Sequence, residues 1–409
     1  MTGEQRRAVA SSLLGSQLKM SSSRGGRMRE EERLRGLCRS PQLLFEVLVL
    51  GRYRFVYDRI PMLAEKMSWS KRVNLICSGL NLVWRKPKPW GMPLHLQFEF
   101  TSYCNLRCPG CPTGLEELGR SATAMSPELF ERVYDETAPY LLTASLWVWG
   151  ESLLHPQLKR MLEIAARYPV ITLLSTNGMP LQWARVREAL LEYPPSILIV
   201  AIDGLTDETN SRYRVGARLA PILEGVRELA EAKRKLGQNK PELLMRFIAM
   251  RHNVHQLGEL ETFARQYGFE SVSIRGFTLK DLSQREQNHE LVPVQPELAH
   301  KIFDAERQAK GFVCQMPFWF PSILADGTVV ACEQDHMGSY PLGKVGVDGT
   351  FRDIWYSPRA AQVRRLIRDS RHCVSFCQHC PYETSSTSDC SLLYWPVSAP
   401  RANIAVEAG

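Results

Sequence analysis

The stretch TSYCNLRCPGCPTG, residues 101–114, gathers three cysteines with the spacing Cys104-x3-Cys108-x2-Cys111. A structural zinc site takes four protein ligands, and so do ordinary electron-transfer iron–sulfur clusters. Three thiolates can instead hold three irons of a cubane cluster and leave its fourth iron open to a substrate or cofactor. The spacing therefore predicts an iron–sulfur site in which the missing fourth ligand is the functional position.

The cysteine loop follows the first of six strand-like stretches that alternate with helical patterns, such as PILEGVRELAEAKRKLG (221–237), which Gly237 closes. This alternation predicts a parallel α/β sheet, whose ligands bind at the carboxyl ends of the strands. We therefore expect the loops after the first four strands to meet at one mouth. The six stretches are LHLQFEF (94–100), SLWVWG (145–150), VITLLS (170–175), ILIVAID (197–203), LLMRFIAM (243–250) and SVSIRGF (271–277).

Three further motifs at the strand ends, together with the cysteine loop, resemble those of the radical SAM enzymes over roughly residues 95–280. WGESLLHP (149–156) is similar to the family's Gly-Gly-Glu-Pro segment, STNGM (175–179) to its Thr-Asn-Gly turn, and AIDG (201–204) to its Ser-x-Asp-Gly strand end. The resemblance implies a partial (β/α)6 TIM-like barrel in which Cys104, Cys108 and Cys111 hold a [4Fe–4S] cluster. It also implies that S-adenosylmethionine (SAM) binds the open iron and yields a 5′-deoxyadenosyl radical.

The same resemblance assigns contacts to SAM. Glu151 would accept a hydrogen bond from the methionyl ammonium, Arg214 would bind the methionyl carboxylate, and Asp203 would face the cofactor or substrate. Taken singly, a carboxylate at the surface or a helix cap explains these residues equally well, but their joint order at strand ends favours the cofactor. The residues assigned to SAM are Gly150, Glu151, Ser175, Asn177, Asp203 and Arg214.

A second group of cysteines follows residue 311, after the strand–helix alternation stops near Lys280. A hairpin turn at Asp326-Gly327 and a C-x2-C knuckle resemble the SPASM or shorter twitch extension of radical SAM enzymes, which carries auxiliary [4Fe–4S] clusters. The resemblance implies one auxiliary cluster, and either Cys373 or Cys390 could replace one of its ligands. The implied ligands are Cys314, Cys332, Cys377 and Cys380.

Two alternative hypotheses, in which the chain is not a radical SAM enzyme, stay open. Two separated thiol pairs suit tetrahedral zinc equally well, so the chain could be a zinc-binding module associated with nucleic acid. No basic–aromatic stripe supports a nucleic-acid partner, however. A scaffold that keeps the fold without turnover is the other reading, and the intact cysteines and Glu151 argue against it.

The composition of the 409 residues, 44% hydrophobic and 23% charged, is typical of a globular protein. No apolar run reaches the eighteen or so residues of a membrane span, and no signal peptide is apparent. Nine of the eleven cysteines fall into two groups, which fits metal binding in a reducing compartment, so we expect a cytoplasmic protein. Part of the net charge of +8 lies in SSSRGGRMREEERLRG (21–36) and predicts a disordered basic N-terminus.

Between Pro41 and Trp84 two helical patterns are apparent, and Ser70 can cap the second. Its apolar stripe either packs on the main domain or touches a membrane or lipid substrate. We expect the lone Cys38 and Cys77 to be small buried hydrophobes. The stripe consists of Val73, Ile76, Cys77, Leu80, Val83 and Trp84. The predicted divisions are a disordered segment 1–35, a helical extension 36–92, the core 93–280, a linker and helix 281–310, the auxiliary-cluster domain 311–392 and a tail 393–409.

The resemblance limits the substrate only to a broad class. We expect a peptide, sugar or other small molecule that undergoes net oxidation or another modification. The resemblance implies an electron donor such as flavodoxin or ferredoxin. Arg246, Arg275 and Gln97 are candidates to line the barrel. A pair of arginines would suit a carboxylate or phosphate, although barrel arginines also pair with internal acids.

Overall fold

The computed structural model describes residues 41–279, 286, 288–300, 314–378, 380 and 390–397. Cys38, the predicted disordered segment 1–35 and the predicted helix before residue 311 lie outside these residues. The described strands are β1 Tyr53–Tyr57, β2 Ile60–Ala64, β3 His95–Phe98, β4 Thr143–Ser145, β5 Ile171–Thr176, β6 Ile197–Ala201, β7 Glu242–Ala249, β8 Ser271–Gly276, β9 Ser322–Ile323, β10 Thr328–Val330, β11 Gly343–Lys344 and β12 Ser391–Pro396. The α-helices are α1 Pro41–Leu48, α2 Trp69–Trp84, α3 Pro127–Thr137, α4 Leu158–Ala166, α5 Ala184–Glu192, α6 Asp207–Ser211, α7 Leu219–Lys235, α8 Leu260–Tyr267, α9 Phe351–Trp355, α10 Pro358–Asp369 and α11 Ser375–Gln378.

Among the described residues, one sheet holds ten strands in the order β11-β10-β9-β3-β4-β5-β6-β7-β8-β12. Strands β3 to β8 are neighbours in chain order and run parallel. Helices fill the crossovers, as the alternation in the sequence predicts, and the partial (β/α)6 barrel is confirmed. The carboxyl ends of the six strands therefore share one edge.

The C-terminal part of the chain extends this sheet at both edges. Strand β9 pairs parallel with β3, and β12 pairs antiparallel with β8. The predicted tail 393–409 is therefore wrong over Leu393–Pro396, because the open edge of β8 offers unpaired backbone groups to a stretch rich in large apolar residues. The hairpin predicted at Asp326-Gly327 is confirmed, and Gly327 takes a φ of +89° between β9 and β10.

Strand β4 lies earlier than predicted. It spans Thr143–Ser145, so most of the predicted strand SLWVWG (145–150) forms the loop that follows it. Leu146 and Val148 are nevertheless buried, because the loop folds over the end of the sheet. An apolar run marks burial and does not by itself distinguish a strand from a buried loop.

The predicted helical extension 36–92 is wrong in its middle part, where β1 and β2 form an antiparallel hairpin between α1 and α2. Asp58 and Arg59 turn the hairpin with φ values of 53° and 60°. Ile60 and Met62 pack on Leu173, Ile199 and Leu244, on the sheet face that the helices leave open. The hairpin thus fills one end of the partial barrel.

Two helix termini test the capping predictions. Helix α7 ends just before Gly237, whose φ is +63°, as predicted. Helix α2 begins at Trp69 and is capped by Ser68, whose Oγ accepts a hydrogen bond from the backbone N of Lys71 at 3.3 Å, so the prediction of a Ser70 cap is wrong. No helix in the described part of the chain has the length and apolar character needed to cross a bilayer.

Candidate active site

A cavity of about 300 Å³ opens at the carboxyl edge of the parallel strands. Its volume is at the lower end of the range for small-molecule sites in proteins. Every residue predicted for the SAM site lines this cavity except Asp203. The predicted residues that line it are Cys104, Cys108, Cys111, Gly150, Glu151, Ser175, Asn177 and Arg214.

The three cysteines lie on a loop that polar contacts hold against its neighbours. The backbone N of Leu106 and the side-chain amide of Asn177 both donate to Cys104 Sγ, at 3.4 and 3.6 Å. The backbone N of Cys111 donates to the carbonyl of Cys108 at 3.2 Å. The loop after β5 therefore contacts the thiol of the loop after β3, as expected for strand ends that share one edge.

Two glycines allow the loop to turn. Gly110 has a φ of +86°, a conformation that residues with a Cβ rarely adopt, which accounts for glycine just before Cys111. A Cβ at Gly114 would lie 2.6 Å from the backbone N of Cys108. The backbone can fold back on the cysteines only because this position carries no side chain.

Two of the loop thiols, those of Cys104 and Cys108, are poor acids in the absence of a bound metal. Burial, with the nearby Glu151 carboxylate, raises the pKa of Cys104 to about 12. Burial also raises the pKa of Cys108, although Arg214 opposes that shift. Thiolates are the form that binds iron, so the iron of a bound cluster would stabilise the thiolate forms that burial disfavours. The donor set therefore fits an iron–sulfur cluster.

Glu151 is the buried carboxylate of the cavity. Its Oε2 accepts from the backbone N of Asn177 at 2.7 Å, and its Oε1 accepts from the backbone N of Leu153 at 3.1 Å. Burial raises the pKa of Glu151 to about 6, while these hydrogen bonds hold the shift down. A desolvated carboxylate at a cavity wall suits a cationic group such as an ammonium.

Gly150 carries a strong steric prediction, because a Cβ there would lie 2.0 Å from the carbonyl oxygen of Thr101. We expect Gly150→Ala to lower the free energy of unfolding by roughly 1–3 kcal/mol, the usual effect of overpacking. Thermal unfolding checks this. Gly258→Ala is the matched control, because a Cβ at Gly258 meets no atom within 4 Å. Equal melting temperatures for the two variants would contradict the prediction.

Asp203 was predicted to face the cofactor or substrate, and its side chain is fully buried and is not among the residues that line the cavity. Asp203 Oδ2 accepts from Nε of Arg214 at 2.5 Å, and Oδ1 accepts from the backbone N of Ile248 at 2.7 Å. Burial by itself would lower the pKa of Arg214, but the Asp203 and Cys108 charges outweigh it and raise that pKa. Asp203 thus positions Arg214, which lines the cavity.

The sequence did not reveal that the C-terminal segment completes the cavity. Glu333 and Gln334 line it, and the indole N of Trp149 donates to the carbonyl of Glu333 at 2.8 Å. Gln97 was predicted to line the barrel, but its side chain instead donates to Glu333 at 2.9 Å and accepts from Ser322 at 2.6 Å. The one signal for Glu333 was its place directly after Cys332.

A second, smaller cavity lies in the C-terminal domain. The four cysteines assigned to the auxiliary site line it, whereas Cys373 and Cys390 are not among its lining residues. Glu333 and Gln334 line both cavities, so the two sites share a wall. The four lining cysteines are Cys314, Cys332, Cys377 and Cys380.

These four thiols are close enough to influence one another. Burial raises the pKa of Cys314 to about 11. Burial, followed by the neighbouring thiols, raises the pKa values of Cys332 and Cys377. As in the first site, bound cationic iron would favour the thiolate forms, so the residues fit a cluster with four thiolate ligands.

Comparison with known proteins gives two family matches. Residues 98–239 match the radical SAM superfamily, and residues 314–381 match the SPASM iron–sulfur cluster-binding domain. The first match contains the three-cysteine loop, and the second contains the four cysteines of the smaller cavity. The second match favours iron–sulfur over zinc in the C-terminal domain.

Individual relatives are distant. The chain is 23% identical over 335 residues to the tungsten-containing aldehyde ferredoxin oxidoreductase cofactor-modifying protein of Pyrococcus furiosus, covering 73% of this chain and 87% of that protein. It is 26% identical over 184 residues to the PqqA peptide cyclase of Gluconobacter oxydans, covering 44% of this chain and 49% of the cyclase. The crystal structure of Streptococcus suis SuiB bound to its precursor peptide SuiA has the same fold. Its TM-score is 0.53 at 15% identity, covering 94% of this chain and 89% of SuiB.

Proposed function

The chain belongs to the radical SAM superfamily and carries a SPASM iron–sulfur domain, and from this we propose that its larger cavity is a radical SAM active site. Cys104, Cys108 and Cys111 would hold the [4Fe–4S] cluster that binds SAM. When bound, cluster and SAM supply a 5′-deoxyadenosyl radical that abstracts a hydrogen atom from a substrate C–H bond. The convergence of these thiols with Glu151 and Arg214 on one cavity supports this assignment.

The chain's own residues would orient SAM from opposite ends of the methionyl group. Glu151 is desolvated and would accept hydrogen bonds from the ammonium. Arg214 would bind the carboxylate, and Asp203 holds its guanidinium in place through a hydrogen bond from Nε. Asn177 connects the two parts of the site, because it donates to both Glu151 and Cys104.

One auxiliary cluster would be held by the four cysteines of the smaller cavity. Cys332 directly precedes Glu333 and Gln334, which line the larger cavity as well. The auxiliary ligands therefore border the place where a substrate would lie. This proximity supports a role in the substrate's reaction and not in folding alone.

Two guanidinium groups indicate the class of substrate. Arg246 and Arg275 both line the larger cavity, and Asp58 at the hairpin turn lies beneath them. Asp58 Oδ2 accepts from Arg246 at 2.5 Å and lies 3.9 Å from Arg275. One carboxylate thus lies close to two guanidinium groups at the cavity wall. We propose that these guanidinium groups bind a carboxylate or phosphate of the substrate.

A peptide is the substrate that the relatives favour. The PqqA peptide cyclase is named for a peptide, and SuiB, whose fold this chain shares, has been seen bound to its precursor peptide. With the arginine pair, these similarities support a peptide that carries an acidic group near the C–H bond that reacts. The reaction would be an oxidation or a crosslink at that position.

Transfer of deuterium to 5′-deoxyadenosine tests this function even while the substrate is unidentified. The reconstituted chain, SAM and a low-potential reductant would be incubated with fractions of a deuterated extract from the producing cells. We expect deuterated 5′-deoxyadenosine from the peptide fraction that an anion exchanger retains. Deuterated 5′-deoxyadenosine formed only with the unretained fraction would contradict an anionic substrate, and formed only with retained non-peptide compounds it would contradict a peptide substrate. If no 5′-deoxyadenosine forms at all, the proposed radical SAM activity is contradicted.

Arg275→Gln tests the anion site directly. Losing a hydrogen bond to a charged group is worth about 1.5–3 kcal/mol, so we expect about a 10- to 100-fold loss in deuterium transfer at low substrate. Cleavage of SAM without substrate should keep its native rate, because Arg214 and Glu151 are unchanged. The exposed Arg265, which pairs with Glu261 on α8, provides the control Arg265→Gln. Unchanged transfer in Arg275→Gln would contradict the proposal.

A further inference from the structure

Helix α2 packs on the protein with its apolar face outward. Trp69, Val73 and Trp84 are 64%, 42% and 40% exposed. Ile76, Cys77 and Leu80 lie on the same side and are only partly buried, so Cys77 is not the buried hydrophobe that the sequence predicted. A helix on a globular protein normally turns such a stripe toward the core. An exposed apolar stripe of this length marks an interaction surface.

The inward face of α2 is mostly polar. The buried residues of the helix are Lys71, Asn74, Ser78 and Asn81, together with the apolar Leu75 and Val83. Asn74 Nδ2 donates to the carbonyl of Met92 at 3.2 Å, and Asn74 Oδ1 accepts from the backbone N of Met92 at 2.8 Å. Lys71 Nζ donates to the carbonyl of Pro169 at 3.2 Å. These hydrogen bonds fix the rotation of the helix about its axis.

The segment before β3 packs too closely on α2 for the helix to turn its apolar stripe inward. A Cβ at Gly91 would lie 2.5 Å from Ser78 Oγ and 2.8 Å from Asn74 Oδ1, so backbone and polar side chains are in direct contact. Ser78 Oγ also donates to the carbonyl of Met92 at 2.7 Å. Turning the apolar stripe inward would therefore break several buried hydrogen bonds, and the stripe stays outside.

The charged residues of the segment that contains α2 are all positive. Residues 66–98 contain six lysines and arginines and no aspartate or glutamate. Lys86 and Lys88 are exposed at the carboxyl end of α2. They lie between Trp84 and Trp90, whose rings are 5.4 Å apart, and Trp90 is 50% exposed. Aromatic and cationic side chains in this combination are typical of the interface between water and lipid.

Helix α1 continues the apolar surface beyond the amino end of α2. Arg72 donates to the carbonyl of Leu48 at 2.7 Å, which ties the end of α1 to the start of α2. Phe45 and Val49 are 53% and 60% exposed beside it. Glu46 is the single acidic residue of α1. We call the exposed residues of these two helices, with Lys86, Lys88 and Trp90, the α1–α2 face.

We propose that the α1–α2 face binds the surface of an anionic membrane. The face is a convex helix surface with a tryptophan near each end, roughly 22 Å apart along the axis, which matches a plane better than a groove. Its apolar side chains would enter the boundary between headgroups and acyl chains, and its lysines would contact anionic headgroups. The inference is independent of the proposed function, because no residue of either cavity belongs to this face.

Flotation of the reconstituted full chain with lipid vesicles tests the proposal. We expect the chain to float with vesicles of phosphatidylcholine and about 30% phosphatidylglycerol, and to stay at the bottom with phosphatidylcholine alone. About 0.5 M salt should weaken the binding, because it screens the lysines. A native chain that stays at the bottom with both vesicles would overturn the proposal.

Substitutions on the α1–α2 face test whether this face is the surface that binds the vesicles. The double change Trp69→Ser with Val73→Ser, and separately Lys86→Glu with Lys88→Glu, should each weaken vesicle binding by at least about tenfold. All four side chains are exposed, so the fold should persist. Trp183→Ser is the matched control and should bind vesicles like the native chain. Trp183 has an environment similar to that of Trp69, because the guanidinium of Arg185 lies 5.3 Å from its ring and that of Arg72 lies 5.8 Å from the ring of Trp69.

Two further outcomes would also contradict the proposal that the α1–α2 face binds a membrane. Variants that float like the native chain would mean that another surface binds lipid. Light scattering could instead reveal a native dimer that does not float and that Trp69→Ser with Val73→Ser converts to a monomer. The face would then be covered by a second copy of the chain.

Discussion

Changing Cys104, Cys108 and Cys111 together to alanine is expected to abolish the formation of 5′-deoxyadenosine from SAM. The loss should be at least about a thousandfold, as for removal of groups on which the chemical step depends. The reason is that these thiols line the larger cavity beside Glu151 and Arg214, and the other cysteine group lines a separate cavity. Chromatography of the reaction with SAM and a low-potential reductant measures the product.

The control for this experiment is Cys77→Ala, which removes a thiol of α2 that lines neither cavity. It should keep the native rate. The triple variant should also retain its secondary structure, because no hydrogen bond between the described strands involves the cysteine loop. Product at the native rate from the triple variant would contradict the assignment of the loop, whatever its iron content.

Changing Asp203 to alanine is expected to produce the largest loss of stability. The change leaves the Arg214 guanidinium, 17% exposed, without its carboxylate, and it leaves the backbone N of Ile248 without its acceptor. Breaking a buried ion pair from one side costs about 3–5 kcal/mol. In a chain of this size we expect the melting temperature of the reconstituted protein to fall by roughly 10 °C.

Asp326→Ala is the matched control, because Asp326 pairs with Lys344 at 2.8 Å while both side chains are more than 40% exposed. An exposed pair contributes about 0–1 kcal/mol, so this variant should melt close to the native protein. If Asp203→Ala and Asp326→Ala melt at the same temperature, the buried pair does not stabilise the site as described.

The sequence predicted the parallel core well because its strands carry their own signals. Strands such as β6 and β7 are buried runs of large apolar residues, and a long amphipathic helix lies between them. Elements at the edges of the sheet were harder to predict. Strand β12 depends on the free edge of β8, and the β1–β2 hairpin depends on the open end of the barrel. Both are consequences of tertiary structure.

The sequence predicted which loops form the site, but not the contacts of individual side chains. The order of the motifs along the chain correctly predicted that the cysteine loop lies beside Glu151 and Asn177. It did not reveal that Asp203 turns beneath the wall to hold Arg214, because side-chain direction at a strand end depends on the neighbouring strand. Glu333 was also missed, since the fold of the C-terminal domain brings it to the cavity.

Helix α2 shows that a correct periodic pattern leaves the orientation of a helix open. The stripe around Val73 and Trp84 is helical, as predicted, and the helix does pack on the main domain. Periodicity identifies the apolar face but not which face the protein covers. Here the hydrogen bonds of Asn74 and Ser78 to the segment before β3 decide the orientation.

The most direct test of the two-cluster assignment is the content of iron and sulfide per chain after anaerobic reconstitution. We expect about eight irons in the native chain and about four in the variant that lacks Cys104, Cys108 and Cys111, because each cubane holds four. Sulfide should fall in the same proportion. A native chain with little iron and stoichiometric zinc would contradict both assignments, and the cysteine groups would then be zinc sites.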